Sequence, residues 1–120
     1  MRIARLHHVS VHVRDLERAR AFYRGVLRLE EIERPRLPCD GAWFRVGDGE
    51  LHLIVPDEEE AKASGGLSPY AVHAALAIDD YEATLAELRA QGIEVLETSP
   101  TVGQMWIEDP DGNVIELIAR

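Results

Sequence analysis

Three histidines lie close together near the start of the chain, in the stretch LHHVSVHV at residues 6–13. Valines alternate with polar residues there, which is the two-residue period of a half-buried β-strand. His8 and His12 fall on the polar side of that strand. Imidazole at such a position is able to bind a divalent metal, carry a proton or contact a ligand. A lone strand histidine is more often an ordinary solvated residue, so the interpretation depends on what the fold places beside it.

The hydrophobic pattern predicts the same order of elements twice. A segment at 56–71, rich in proline, glycine and charge, separates the two copies. We therefore divide a single domain, residues 1–120, into module one (1–55), a linker (56–71) and module two (72–120). The predicted elements are a strand at 6–13, a helix from 16 to about 27, strands at 29–34, 42–46 and 50–55, a strand at 72–78, a helix from 81 to about 91, and strands at 93–97, 104–108 and 113–119.

The two copies share residues as well as elements. The first strand and helix repeat at an offset of 65 residues, where His8 pairs with His73. The last strand repeats at an offset of 64, where His52 falls opposite Glu116. Repetition of a whole element order indicates two copies of one module. The predicted fold is α+β, with two tandem βαβββ modules forming a curved, cupped mixed sheet that carries its helices on the outer face.

The repeat groups four residues that are suited to a metal ion. Equivalent positions of two paired modules face each other, which brings His8, His73, His52 and Glu116 into one set. Imidazole and carboxylate are ligands for borderline divalent ions such as zinc, nickel, iron, cobalt and manganese. An inward carboxylate in the apolar strand NVIELIA is costly unless it is paired or metal-bound. We therefore predict one divalent ion held by these four side chains.

Two stretches resemble a known family. LHHVSVHVRDLERARAFYRGVL (6–27) resembles the opening of a vicinal oxygen chelate module, and WIEDPDGNVIELI (106–118) resembles the closing hairpin of that family. Members include glyoxalase I, methylmalonyl-CoA epimerase, fosfomycin-resistance enzymes, bleomycin-resistance proteins and extradiol dioxygenases. Nearly the whole chain is covered. The metal positions of the family fall on His8, His52, His73 and Glu116, although glyoxalase-like members often have glutamate, and epimerase-like members glutamine, where His52 stands.

The resemblance implies a reaction on a small substrate that binds the metal through two adjacent oxygens. A divalent cation polarises a carbonyl and stabilises an enediolate or enolate. Glu116 is then the candidate catalytic base, and His52 is a candidate second proton carrier. The expected function is a glyoxalase-like lyase or isomerase. An extradiol-type iron(II) dioxygenase would be equally suited by a ligand set of His8, His73 and Glu116. Two further alternatives stay open, namely thiol transfer to an epoxide antibiotic and binding of a small-molecule drug without a reaction.

Four further side chains are candidates for contacting the substrate. Trp43 and Trp106 occupy nearly equivalent repeat positions and are large enough to line a cleft, although core packing explains tryptophan equally well. His12 shares a strand face with His8. Arg45 is a candidate anchor for a substrate carboxylate, with a solvated surface charge as the alternative. The predicted substrate-binding residues are therefore His12, Trp43, Arg45 and Trp106.

The composition limits the partners and the compartment. The formal net charge of −9 argues against nucleic acid and anionic membrane surfaces, because both require a basic face. Cys39 is the single cysteine, which rules out an intrachain disulfide. Neither a signal peptide nor a run of about 18 apolar residues is visible. We expect a cytoplasmic protein, a homodimer because the chain is small, and a small-molecule substrate as its partner.

Overall fold

The computed structural model describes residues 2, 4–56, 67, 69 and 73–119, so most of the predicted linker lies outside the described residues. The chain divides into unit 1, Met1–Lys62, and unit 2, Ala63–Arg120. Within the described ranges, no helix is long and apolar enough to cross a membrane.

Each unit contains one helix and a four-stranded mixed sheet. Unit 1 is built from β1 (His8–His12), α1 (Leu16–Arg20), β2 (Glu30–Ile32), β3 (Gly41–Val46) and β4 (Gly49–Ile54). Unit 2 is built from β5 (His73–Ile78), α2 (Tyr81–Ala90), β6 (Leu96–Glu97), β7 (Gln104–Glu108) and β8 (Val114–Ala119). The strand orders are β1-β4-β3-β2 and β5-β8-β7-β6. The first and last strands of each unit are parallel, and the other pairs are antiparallel.

This architecture confirms the predicted α+β fold with two βαβββ modules, and the mixed sheet is divided between the modules. Two elements differ in detail from the expectation. The first helix widens into π-type turns over Ala21–Val26, where the Leu27 N–H donates to the Phe22 carbonyl at 3.0 Å. The strand predicted at 93–97 forms only at Leu96–Glu97, because only these residues find partners on β7.

The strand register separates an apolar face from a polar face in unit 1. Side chains of directly paired residues share a face. Phe44 pairs with Leu51, both are buried, and Tyr23 from the helical segment packs on Phe44 with ring centroids 6.0 Å apart. The opposite face therefore points away from the helix. We call it the site face of unit 1, and it carries His8, His12, Trp43, Arg45, Glu50 and His52.

Unit 2 has the same arrangement. Ala74, Ile115 and Met105 lie on the buried apolar face. The site face of unit 2 carries His73, Gln104, Trp106 and Glu116. Trp43 pairs with His52 in unit 1, and Trp106 pairs with Glu116 in unit 2, so the two tryptophans occupy equivalent positions.

A tight turn between β7 and β8 fixes the register that places Glu116. The buried Asp109 carboxylate accepts hydrogen bonds from the backbone N–H groups of Asp111 and Asn113 at 2.9 and 2.8 Å, and from the Asn113 side-chain amide at 2.7 Å. Gly112 has a φ of 82°, a conformation that glycine adopts without strain. The turn residues thus set where β8 begins.

We predict that Asp109→Ala lowers the free energy of unfolding by about 3 kcal/mol, because three hydrogen bonds to a buried carboxylate are lost together. Urea unfolding followed by circular dichroism measures the change. Asp48→Ala is the matched control, since Asp48 is exposed in the turn between β3 and β4, and we expect it to change stability by less than about 0.5 kcal/mol. Equal effects of the two substitutions would contradict the role given to Asp109.

Candidate functional site

Unit 2 brings two predicted ligands into contact. Glu116 is buried, with 7% of its surface exposed, and its Oε2 lies 3.3 Å from His73 Nε2. The other carboxylate oxygen, Oε1, accepts a hydrogen bond from the Gln104 side-chain amide at 2.8 Å. The two residues come from neighbouring parallel strands, where His73 pairs with Val114, two residues before Glu116. Both oxygens of the carboxylate therefore have a defined neighbour.

The spacing of this pair fits two ligands of one metal ion. Ligand atoms about 2.1 Å from an ion are about 3.0 Å apart at a right angle and about 3.4 Å apart at the tetrahedral angle. The observed 3.3 Å between His73 Nε2 and Glu116 Oε2 falls in this interval. Imidazole nitrogen and carboxylate oxygen are also the donor types that borderline divalent ions select. The distance within the unit 2 pair is therefore compatible with two ligands of one ion.

Unit 1 holds His52 between two other rings. The Trp43 ring stacks on the His52 imidazole with centroids 4.1 Å apart and an interplanar angle of 3°, and the His8 ring stacks on it at 4.1 Å and 15°. His7 lies edge-on to His8, with their Nδ1 atoms 2.9 Å apart. His52 is buried, whereas His8 is exposed. The stack therefore restrains the His52 ring from both of its faces.

Glu50 restrains His52 within the plane of its ring. Glu50 Oε1 lies 2.8 Å from His52 Nε2. This hydrogen bond is the main reason why the pKa of Glu50 is lowered from its usual value, and the charges of His52, His7 and Arg45 act in the same direction. The His–carboxylate pair resembles the arrangement in which a carboxylate fixes the orientation of an imidazole used in catalysis.

The stacking constrains how unit 1 would bind a metal. A metal–imidazole bond lies in the plane of the ring, so two nearly parallel, stacked rings do not direct their nitrogens at one common ion. Joint binding by His8 and His52 would require one ring to turn. Among the described residues, no group of three or more histidine, cysteine, aspartate or glutamate side chains is arranged around a common metal position. The observed side-chain arrangement is thus closer to ligand geometry in unit 2 than in unit 1.

The four predicted substrate-binding residues all lie on the site faces. His12 and Arg45 are exposed, and Arg45 pairs with Glu50 across β3 and β4. Trp43 is half-buried against His52. Trp106 is 6% exposed, and its buried indole Nε1 has no hydrogen-bond acceptor among the described residues. A buried donor left without an acceptor is costly, so this N–H requires an acceptor that the described residues do not supply.

Sequence reasoning missed two residues that contact the predicted site, Glu50 and Gln104. Glu50 stands two residues before His52 in a strand, so the two-residue period was a signal that they share a face. Gln104 had no comparable signal, since it pairs with Ile118 on β8 and reaches Glu116 diagonally. Cys39 is exposed and free, as expected for a single cysteine.

Comparison with known proteins identifies relatives along nearly the whole chain. Residues 5–117 match the Glyoxalase/Bleomycin resistance protein/Dioxygenase superfamily. The chain is 31% identical to Glyoxylase I 4 of Arabidopsis thaliana, over 98% of this chain and 71% of that protein. It is 30% identical to the mitochondrial methylmalonyl-CoA epimerase of Bos taurus over 84% of this chain, but spans only 62% of that enzyme. It is 32% identical to the lactoylglutathione lyase of Haemophilus influenzae, over 92% of this chain and 89% of that enzyme.

Solved structures show the same fold. A glyoxalase family protein from Bacillus anthracis superposes with a TM-score of 0.82 and 30% identity, over 100% of this chain and 98% of that one. A variant of the fosfomycin resistance protein FosX from Listeria monocytogenes superposes with a TM-score of 0.74 and 20% identity, over 98% of this chain and 93% of that one. That FosX crystal structure contains Mn(II) and a dihydroxypropylphosphonic acid.

We predict that Glu50→Gln destabilises the protein at neutral pH but not in strong acid. Because the folded state lowers the pKa of Glu50, its stabilising contribution is complete above the ordinary glutamate pKa of about 4.3 and is lost as the pH falls through the lower folded-state value. Urea midpoints of wild type and variant at neutral pH and in strong acid measure the difference. Glu30→Gln, at an exposed position on β2, is the control, and a Glu50→Gln effect that persists unchanged in acid would contradict the prediction.

Proposed function

Since the chain belongs to the glyoxalase/bleomycin resistance protein/dioxygenase superfamily, we propose that it is a metal-dependent enzyme acting on a small substrate that presents two adjacent oxygens. The proposed reaction is a glyoxalase-like lyase or isomerase step through an enediolate or enolate. The observation that carries the proposal is the contact between His73 and the buried Glu116. The relatives of about 30% identity are named for a lyase and an epimerase, and both reaction types move a proton beside a carbonyl.

The proposed cofactor is one divalent ion of zinc, nickel, manganese, cobalt or iron. His73 and Glu116 would hold it in unit 2. The sequence prediction adds His8 and His52 as ligands, and their joint binding would require one of the two stacked rings to turn. The ligand spacing in unit 2 and the Mn(II) in a protein of the same fold support this assignment. When bound, such an ion polarises a substrate carbonyl and makes the neighbouring C–H more acidic.

Proton transfer and substrate binding are assigned to individual side chains. Glu116 is the proposed base, because its buried carboxylate lies on the site face of unit 2 and has defined neighbours in Gln104 and His73. His52 is the proposed second proton carrier, since the contacts with Glu50 and Trp43 hold its ring in one orientation. The indole N–H of Trp106, which has no acceptor among the described residues, is the proposed donor to a substrate oxygen. Trp43, Arg45 and His12 would form further parts of the pocket.

A second candidate is an iron(II) oxygenase. The burial of His52 and the contact of its Nε2 with Glu50 favour it, because they leave His52 as a pocket residue and not as a ligand. His8, His73 and Glu116 would then be the two-histidine, one-carboxylate set of iron(II) oxygenases. Oxygen uptake with catechols by the iron-loaded protein separates this candidate from the lyase or isomerase, which requires no oxygen.

We predict that the protein purified without chelator carries about one divalent ion per chain, and that His73→Ala and Glu116→Ala each abolish its retention, because either substitution removes half of the unit 2 pair. Elemental analysis gives the stoichiometry, and circular dichroism verifies the fold. His12→Ala is the histidine control and should retain the metal. Stoichiometric metal in either ligand variant, or metal-free protein that no added divalent ion restores, would overturn the proposed site.

The reaction is tested on the metal-loaded protein. Hemithioacetals of methylglyoxal test the lyase reaction, and deuterium uptake from heavy water beside the carbonyl of a 2-methyl-branched acyl-CoA tests the isomerase reaction. Turnover of either, lost in Glu116→Gln, supports the proposal. Ligand binding detected by tryptophan fluorescence, without turnover and without metal, would instead indicate a binding protein. The homodimer and the cytoplasmic location stay predictions, and sedimentation analysis tests the first.

We predict that Trp106→Phe weakens binding of oxalate, a small planar molecule with two adjacent oxygens, to the zinc-loaded protein about 5- to 10-fold, because the substitution keeps an aromatic side chain but removes the indole N–H together with the ring that carries it. Titration calorimetry measures the affinity. Trp43→Phe is the comparison, since it also replaces an indole by a phenyl ring, in a residue that stacks on His52, and a larger effect in Trp106→Phe is expected. An unchanged affinity in Trp106→Phe would show that the indole N–H does not contact this ligand.

A further inference from the structure

The partner of Glu116 on β7 is not explained by the internal repeat. Gln104 donates from its side-chain amide to Glu116 Oε1 at 2.8 Å. The register places Gln104 opposite Ile118, as it places Gly41 opposite Ile54 in unit 1. Unit 1 therefore has glycine at the equivalent position, and no side chain reaches its neighbour from there. The glutamine is a feature of unit 2 alone.

In unit 1, the polar residue that contacts the site residue stands at a different position. Glu50 contacts His52 from β4 itself, two residues earlier. The unit 2 residue equivalent to Glu50 is Val114, because His8 pairs with Glu50 and His73 pairs with Val114. The supporting residue thus matches the chemistry of the group it contacts. An imidazole N–H requires an acceptor and receives a carboxylate, whereas a carboxylate oxygen requires a donor and receives an amide.

We propose that Gln104 is a positioning residue for Glu116. By occupying Oε1, its amide fixes the rotation of the carboxylate and directs Oε2 towards His73 Nε2, 3.3 Å away. A neutral amide does this without adding a second negative charge beside Glu116. The inference rests on the proposed function, because it assigns Gln104 a part in binding the divalent ion through Glu116.

The expected size of the effect follows from metal sites in general. Residues that hydrogen-bond to metal ligands typically change the metal affinity 10- to 100-fold when they are replaced. Without the amide, the Glu116 side chain gains rotational freedom, which must be lost again each time an ion binds. The loss should therefore appear in metal affinity, in addition to the modest loss of stability that follows from removing one hydrogen bond to a buried carboxylate.

The test compares zinc affinity in wild type and Gln104→Met, which keeps the length of the side chain but has no N–H donor. Competition with a chromophoric chelator measures the affinity, and thermal unfolding in the presence of EDTA verifies the metal-free fold. We expect 10- to 100-fold weaker zinc binding, with a metal-free fold that stays intact but unfolds at a somewhat lower temperature, because the buried Glu116 carboxylate loses a hydrogen bond. Gln91→Met is the matched control, because Gln91 is the other glutamine of the chain and lies at the exposed end of α2.

A second readout does not depend on metal. The chain has two glutamines and one asparagine, so the side-chain amide signals in proton–nitrogen NMR spectra are few and are assigned by the two methionine variants. In metal-free protein, the Gln104 amide proton held by Glu116 should resonate downfield and shift in Glu116→Ala. An unshifted signal would overturn the contact, and with it the inference.

The outcomes separate the inference from the function on which it rests. Wild-type zinc affinity in Gln104→Met, together with lost binding in Glu116→Ala, would overturn the positioning role and leave the proposed metal site standing. Failure of the wild type to bind any divalent ion would overturn the metal site and also the positioning role, even if the amide signal showed the contact. Weaker zinc binding in Gln104→Met but not in Gln91→Met supports both.

Discussion

The parallel pairing of the first and last strand in each unit is the constraint on which the candidate site depends. The residue directly opposite His8 stands two positions before His52, so these two lie diagonally across the strand pair. His73 and Glu116 have the same diagonal relation. Side chains at these diagonal positions share one face of the sheet. A slip of one residue would turn every member of a strand to the other face. The chemistry of the protein is therefore tied to backbone hydrogen bonds that contain none of the functional atoms.

Burial makes the polar side chains of the candidate site costly unless they have hydrogen-bond or charge partners. His52 and Glu116 are each 7% exposed, and a buried polar group is stable only when it has partners. His52 has a carboxylate in its ring plane and rings against both of its faces. Glu116 has an amide on one oxygen and an imidazole near the other. The contacts that satisfy these groups also fix their orientations, so the stability of the fold and the geometry of the site have a common origin.

The two units have the same backbone but different chemistry. Position for position, His52 corresponds to Glu116, Glu50 to Val114 and Gly41 to Gln104. Unit 1 presents a stacked imidazole, and unit 2 presents a carboxylate beside an imidazole. Proteins with this fold carry the names of a lyase, an epimerase and a fosfomycin resistance protein. A fold shared so widely does not select a reaction, and the side chains at these few positions are where such proteins can differ.

The sequence by itself determined the two-module α+β fold, because strand alternation, helix caps and the repeat are all local patterns. Asp15 and Asp80, for example, each stand directly before a helix, and their side chains accept hydrogen bonds from the backbone N–H groups of Arg18 and Ala83 at 3.0 and 2.9 Å. The sequence also placed His73 and Glu116 in one predicted set. Only the tertiary structure decided that Gln104 reaches Glu116 and that His52 is stacked between two rings. Those contacts join different strands diagonally, and they depend on register and side-chain rotamers, which no local pattern records.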